Sequence, residues 1–191
     1  RRQRQMCIRD RTRRSQLWFG SFFRKEIITM KKYIKGVLLF LVLFGLDQWS
    51  KYAADTCLQG HEAKKVIGDV FVLQYLKNYG AAFGILQNKQ IFLVILTAVI
   101  LAAIIYILIK TPDTVHYLPV RFFGIMLAAG AVGNMYDRIV HGYVIDFLYA
   151  KVIDFPIFNV ADCYVVVSAV VLAILIGFVY QESDLEVYHK K

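Results

Sequence analysis

Two aspartates stand where an acidic side chain is costly. Asp146 interrupts the apolar run Gly142-Tyr-Val-Ile-Asp146-Phe147, and Asp162 follows Phe158-Asn159-Val-Ala at the mouth of another apolar stretch. Asn159 and Asp162 have the spacing of a helix N-cap and its third residue, which alone accounts for an acid at 162. No such role accounts for Asp146. Two carboxyls brought together in a poorly hydrated place cannot both ionise cheaply, because desolvation and like charge raise one pKa. A pair sharing one proton is the arrangement of aspartic proteases, in which one carboxylate activates water and the other acid protonates the scissile carbonyl. On residue types alone, a structural role or an ion pathway remains open beside it.

Other polar groups occupy similarly expensive positions. Asp47 and Lys51 are four apart on one helical face, and read either as an i,i+4 pair that ends a span or as support for a site. Asn134, Asp137 and Arg138 close an apolar stretch in Gly133-Asn134-Met-Tyr-Asp137-Arg138. Asn134 and Asp137 share a face, and Asp137 with Arg138 reads as a local charge pair suited to support. Asn78-Tyr-Gly80-Ala-Ala-Phe-Gly84 reads either as a simple loop or as a tight turn near the membrane, with Asn78 able to orient a peptide through its amide.

These residues are carried by a chain built for lipid. Of 191 residues, 58% are hydrophobic and 19% charged, and mean hydropathy is +0.51. That excludes a disordered chain, a coiled coil and a disulfide-built secreted module. Four apolar stretches follow, at about Ile34–Ala54, Ile91–Ile109, Leu118–Val140 and Ala161–Tyr180. The third is rich in Gly and Ala, which let helices approach closely in lipid. Residues 70–76 read as a β-strand, and residues 141–160 as an amphipathic, aromatic connection. The first stretch runs on into Asp47 without a small-residue cleavage site, so it does not read as a cleaved signal.

The formal charge of +9 is concentrated at one end. Residues 1–29 hold nine Lys/Arg and two acids, and the remainder is nearly balanced. We expect residues 1–29 to be a basic N-terminal extension outside the fold, with residues 30–191 forming one four-span domain that opens at Met30-Lys31-Lys32. Nucleic-acid binding would rest on that extension alone and is not expected. Three cysteines and four scattered histidines show no metal-ligand spacing. A Cys57–Cys163 disulfide is conceivable but has no framework around it. Flanking Lys/Arg tie at seven on each side. Setting aside Lys51 and Arg138 as site residues tips the count to seven against five, with both termini cytoplasmic.

Together the segments Asp47-Gln-Trp-Ser-Lys51, Asn78 to Gly84, Gly133 to Phe147 and Phe158 to Asp162 resemble the bacterial signal peptidase II family of lipoprotein signal peptidases. They occur in the family's order and span essentially Met30 to Tyr180. The resemblance implies a four-helix membrane fold with a small extracytoplasmic β-cradle and a short amphipathic helix. It implies an aspartic endopeptidase of the bacterial cytoplasmic membrane, with Asp146 and Asp162 as the catalytic pair. Asp47, Lys51, Asn78, Gly80, Asn134, Asp137, Arg138 and Asn159 fall on positions that bind substrate or support the site. The implied substrate is a prolipoprotein cut on the N-terminal side of its diacylglyceryl-modified Cys. The implied enzyme needs no cofactor, works in lipid at the extracytoplasmic face, and suffices as a monomer. The rivals are an ion-coupled carrier and a structural subunit. Against the carrier stand the absence of an inverted repeat and the gathering of polar groups at one face.

Overall fold

The computed structural model describes residues 33–81 and 85–188. The basic extension 1–29, the segment beginning at Met30 and Ala82-Phe83-Gly84 of the glycine-containing turn lie outside the described residues. The chain divides after Leu38, and every feature below except the first residues of the first helix belongs to the compact unit that begins at Leu39.

Among the described residues, four helices are long and apolar enough to cross a membrane: α1 (Tyr33–Leu58), α2 (Gln90–Lys110), α3 (Leu118–Val140, entered through a 3-10 turn at Val115–Tyr117) and α4 (Val160–Ile174, prolonged by a π-helical turn at Leu175–Val179). Most of their large apolar side chains point outward; Ile91, Val99 and Val166 are each at least 60% exposed. That is the expected surface of a helix group solvated by hydrocarbon rather than water. α1 continues to Leu58, so the charged pair at Asp47 and Lys51 does not end it.

The small residues of α3 let its neighbours close in. A Cβ on Gly130 would lie 2.5 Å from the Ala161 carbonyl oxygen at the start of α4. That contact is with backbone, so it has little freedom to yield. Gly130→Ala is expected to lower stability by about 1–3 kcal/mol, read as an earlier unfolding midpoint in detergent, through separation of α3 from α4.

The connection between α1 and α2 forms β1 (Lys64–Ile67) and β2 (Phe71–Asn78), and the one between α3 and α4 forms β3 (Val144–Ala150). They make a three-stranded antiparallel sheet in the order β1-β2-β3. Strand β2 matches the β-branched and aromatic run seen in the sequence. β3 lies within the stretch read only as amphipathic, although Val144-Ile-Asp-Phe-Leu-Tyr has the same β-favouring composition. The helical element of this connection is a single 3-10 turn, Lys151–Ile153, with Val152 and Ile153 exposed. The sheet is seated on the end of α1 by a cluster of Ala54, Leu58, Ile145 and Phe147. Its register pairs Asn78 with Val144 and Leu76 with Asp146, which places Asn78 and Asp146 diagonally on the same face of the sheet.

At the opposite end of the helices, α5 (Glu182–Leu185) folds back. Leu185 and Val187 pack against Tyr117, Val120 and Tyr180, and the Tyr117 hydroxyl donates to the Asp184 carbonyl. Cys57 and Cys163 are both free thiols.

Candidate active site

α4 begins with the capping box anticipated from its sequence. The Asp162 amide donates to Asn159 Oδ1 at 3.0 Å, and the Asn159 amide donates to Asp162 Oδ2 at 3.1 Å. The cap also reaches across to the sheet: Asn159 Nδ2 donates to Asp146 Oδ1 at 2.6 Å. One asparagine therefore holds both candidate acids. The second oxygen of each acid takes an asparagine of its own. Asn78 Nδ2 donates to Asp146 Oδ2 at 2.8 Å, and Asn134 Nδ2 donates to Asp162 Oδ1 at 2.7 Å.

Both acids border one cavity of about 630 Å³, between the sheet, the ends of α3 and α4 and the segment Phe155-Pro-Ile-Phe158. Its remaining wall is mainly apolar, with Leu76, Val144, Val165 and Val166 among the lining residues. Asp146 is 1% exposed. Burial, with the charge of Asp162 second, pushes the Asp146 carboxyl up to about 7 against the pull of the Asn78 and Asn159 amides and Lys51. Burial therefore favours a protonated Asp146 up to near neutral pH.

A charged cluster lies behind the acids. Lys51 Nζ is 2.9 Å from both Asp47 Oδ2 and Asp137 Oδ2, and donates to Asn134 Oδ1 at the same distance. Asp47 Oδ1 accepts the Ala161 amide at 2.9 Å, tying α1 to the first turn of α4. Arg138 does not pair with Asp137, its chain neighbour. It donates to the Gly80 carbonyl at 2.9 Å and to the Asn134 carbonyl at 3.2 Å, while Asp137 turns to Lys51. Adjacent helical residues diverge by about 100°, so the two side chains serve different partners. The Gly80 amide donates to Asn78 Oδ1 at 2.9 Å. Gly80 has no left-handed backbone; what needs its missing side chain is close approach, since a Cβ would lie 2.7 Å from the Ile85 carbonyl.

All ten residues singled out from the sequence thus join one hydrogen-bonded and ion-paired network. One member was missed: Gln48, whose Nε2 donates to Asp47 Oδ2 and Asp137 Oδ1, each at 3.1 Å. An amide inside an apolar stretch, beside Asp47, was the available signal.

The signal peptidase (SPase) II family model matches residues 39–178, which include every residue of this network. The chain belongs to the signal peptidase II family. It is 40% identical over 136 residues to the lipoprotein signal peptidase of Streptococcus thermophilus (strain CNRZ 1066), covering 71% of this chain and 88% of that protein. To the lipoprotein signal peptidase of Caldanaerobacter subterraneus subsp. tengcongensis it is 42% identical over 143 residues, covering 74% and 94%. A bacterial membrane enzyme solved by the in meso method at 2.3 Å is similar with a TM-score of 0.69 and 31% identity over 82% of this chain and 92% of that one. Four spans and signal peptidase II membership together make this a multi-pass membrane protein.

Proposed function

We propose that the chain is an intramembrane aspartic endopeptidase that removes the signal peptide from diacylglyceryl-modified prolipoproteins, cutting on the N-terminal side of the lipidated Cys. The observation that carries this reading is a pair of acids, Asp146 and Asp162, linked through Asn159, whose side-chain amide donates to the first and whose backbone amide donates to the second, at the wall of one cavity where the sheet meets the helix ends.

In the proposed reaction, the pair holds one proton and one negative charge. The ionised carboxylate takes a proton from water as the oxygen attacks the scissile carbonyl. The protonated carboxyl gives its proton to the carbonyl oxygen, so the tetrahedral intermediate is a neutral diol. Collapse breaks the C–N bond, and the amine of the lipidated Cys leaves with a proton from the pair. Asn78, Asn134 and Asn159 fix the carboxyl planes. Arg138 holds the Gly80 carbonyl and with it the turn after β2. Lys51, Asp47 and Asp137 lock α1, α3 and the start of α4 in register. The diacylglyceryl group confines the substrate to the bilayer, so the site works at an interface where lipid and water meet.

The lysine and arginine balance favours cytoplasmic termini in a bacterial cytoplasmic membrane, with the site on the extracytoplasmic face. A monomer supplies every residue of the mechanism, and residues 30–191 hold the peptidase domain. A gel-shift assay with a lipidated preprolipoprotein in detergent tests the activity: the signal peptide is released with the protein present, and absence of cleavage would overturn the reading.

The proton requirement fixes a pH dependence. Because burial raises Asp146, the competent state with one shared proton is lost on the alkaline side, as pH rises through about 7. The expected kcat/KM profile therefore descends with a midpoint near 7. Asn78 opposes that rise through its hydrogen bond. Asn78→Leu is therefore expected to move the descending limb to higher pH as well as slow the reaction. A purely structural Asn78 would lower the rate without moving the limb.

A further inference from the structure

The far end of the sheet carries apolar side chains that no part of the mechanism uses. Val66, Ile67, Val70, Val152 and Ile153 are 50–69% exposed. They come from the β1–β2 hairpin and from the 3-10 turn after β3, brought together by the β2–β3 register that pairs Phe71 with Ala150. Polar links hold the turns to each other: Asp69 Oδ1 lies 2.8 Å from Lys65 Nζ and 3.6 Å from Lys151 Nζ. β2 carries this tip roughly 23 Å from Asn78, at about 3.3 Å per residue.

We propose that this tip is a membrane anchor, embedded in the headgroup layer of an anionic bilayer. Five large apolar side chains in water would be a costly surface for so small a sheet, whereas the helices that bear the sheet already stand in lipid. Lys64, Lys65 and Lys151 lie in the same two segments, residues 64–70 and 151–154, and outnumber the acids there, Asp69 and Asp154. Lysines beside an apolar tip match anionic phospholipid: the stems follow the side chains into the interface while the ammonium groups meet phosphate. Anchored at both ends, by α1 at one and lipid at the other, the sheet lies along the bilayer. The cavity floor is thereby held level with the depth at which a lipid-attached peptide arrives.

The full chain tests this independently of catalysis. Cys7, Cys57 and Cys163 are replaced by Ser, Ile153→Cys is labelled with an NBD fluorophore, and circular dichroism verifies the helices. In vesicles of phosphatidylcholine and phosphatidylglycerol, bromine or nitroxide carried on the lipid should quench the probe strongly, and aqueous acrylamide only weakly. Combining Lys64→Glu, Lys65→Glu and Lys151→Glu should reverse that ranking, as should vesicles of phosphatidylcholine alone. Acrylamide quenching equal to that of the free dye, with no effect of lipid-borne quenchers, would show a sheet projecting into water and overturn the anchor. Equal depth in both vesicle types would overturn the assignment to anionic lipid.

Discussion

Asp146→Asn and Asp162→Asn should each reduce cleavage of a lipidated prolipoprotein by roughly a thousandfold or more, while the protein still inserts and remains helical. The magnitude follows from removing a group that must both take and give a proton in the transition state. The amide keeps the shape of the acid but cannot exchange its proton. Each substitution also has a structural consequence. Asp146 receives two N–H donors, one on each oxygen, and so does Asp162. An asparagine would turn its own NH2 toward one of those donors, at a cost of about 1–3 kcal/mol. Unfolding midpoints measured beside the rates separate the effects, since a small loss of stability cannot account for a thousandfold loss of rate in a folded protein. A purified Asp162→Asn variant with full turnover would eliminate the pair as the catalytic groups.

The largest effect on stability is expected at Lys51. Its ammonium, 2% exposed, lies between the carboxylates of Asp47 and Asp137 and joins α1 to α3. Lys51→Met fills similar volume but leaves two buried carboxylates without their cation, and should cost about 3–5 kcal/mol. Neutralising the acids as well, in Asp47→Asn/Lys51→Met/Asp137→Asn, should recover part of the loss, because the penalty belongs to unpaired charge rather than to a missing contact. Thermal unfolding in detergent reads both variants. A Lys51→Met protein as stable as the parent would show that the cluster does not hold the helices together.

The spans were legible in the sequence because uninterrupted hydrophobicity is a strong signal; α3 has the bounds expected of it, and α2 differs by one residue at each end. The candidate site was legible for a related reason. In an apolar chain every buried acid, amide or cation is an exception that must find a partner, so the exceptions point toward one another. Partner choice was not legible. Asp137 and Arg138 are neighbours in sequence and read as a pair, yet helical geometry sends one to Lys51 and the other to the turn at Gly80. Asn159 was recognised as a cap, but its bond to Asp146 depends on how β3 returns over α4. β3 itself was obscured because a strand flanked by a helix end and an aromatic turn shows no clean alternation. Its burial is continuous through Val144, Ile145, Asp146 and Phe147.

The central claim is that two acids share one proton in the cavity at neutral pH. Infrared difference spectroscopy of the purified protein, titrated between acidic and alkaline pH, reads that proton through the carbonyl stretch of a protonated carboxyl. The account predicts a protonated-carboxyl band that disappears with a midpoint near 7 in the parent protein and is missing over that range in Asp146→Asn. A spectrum with no carboxyl titrating near neutrality, or one unchanged by Asp146→Asn, would contradict it.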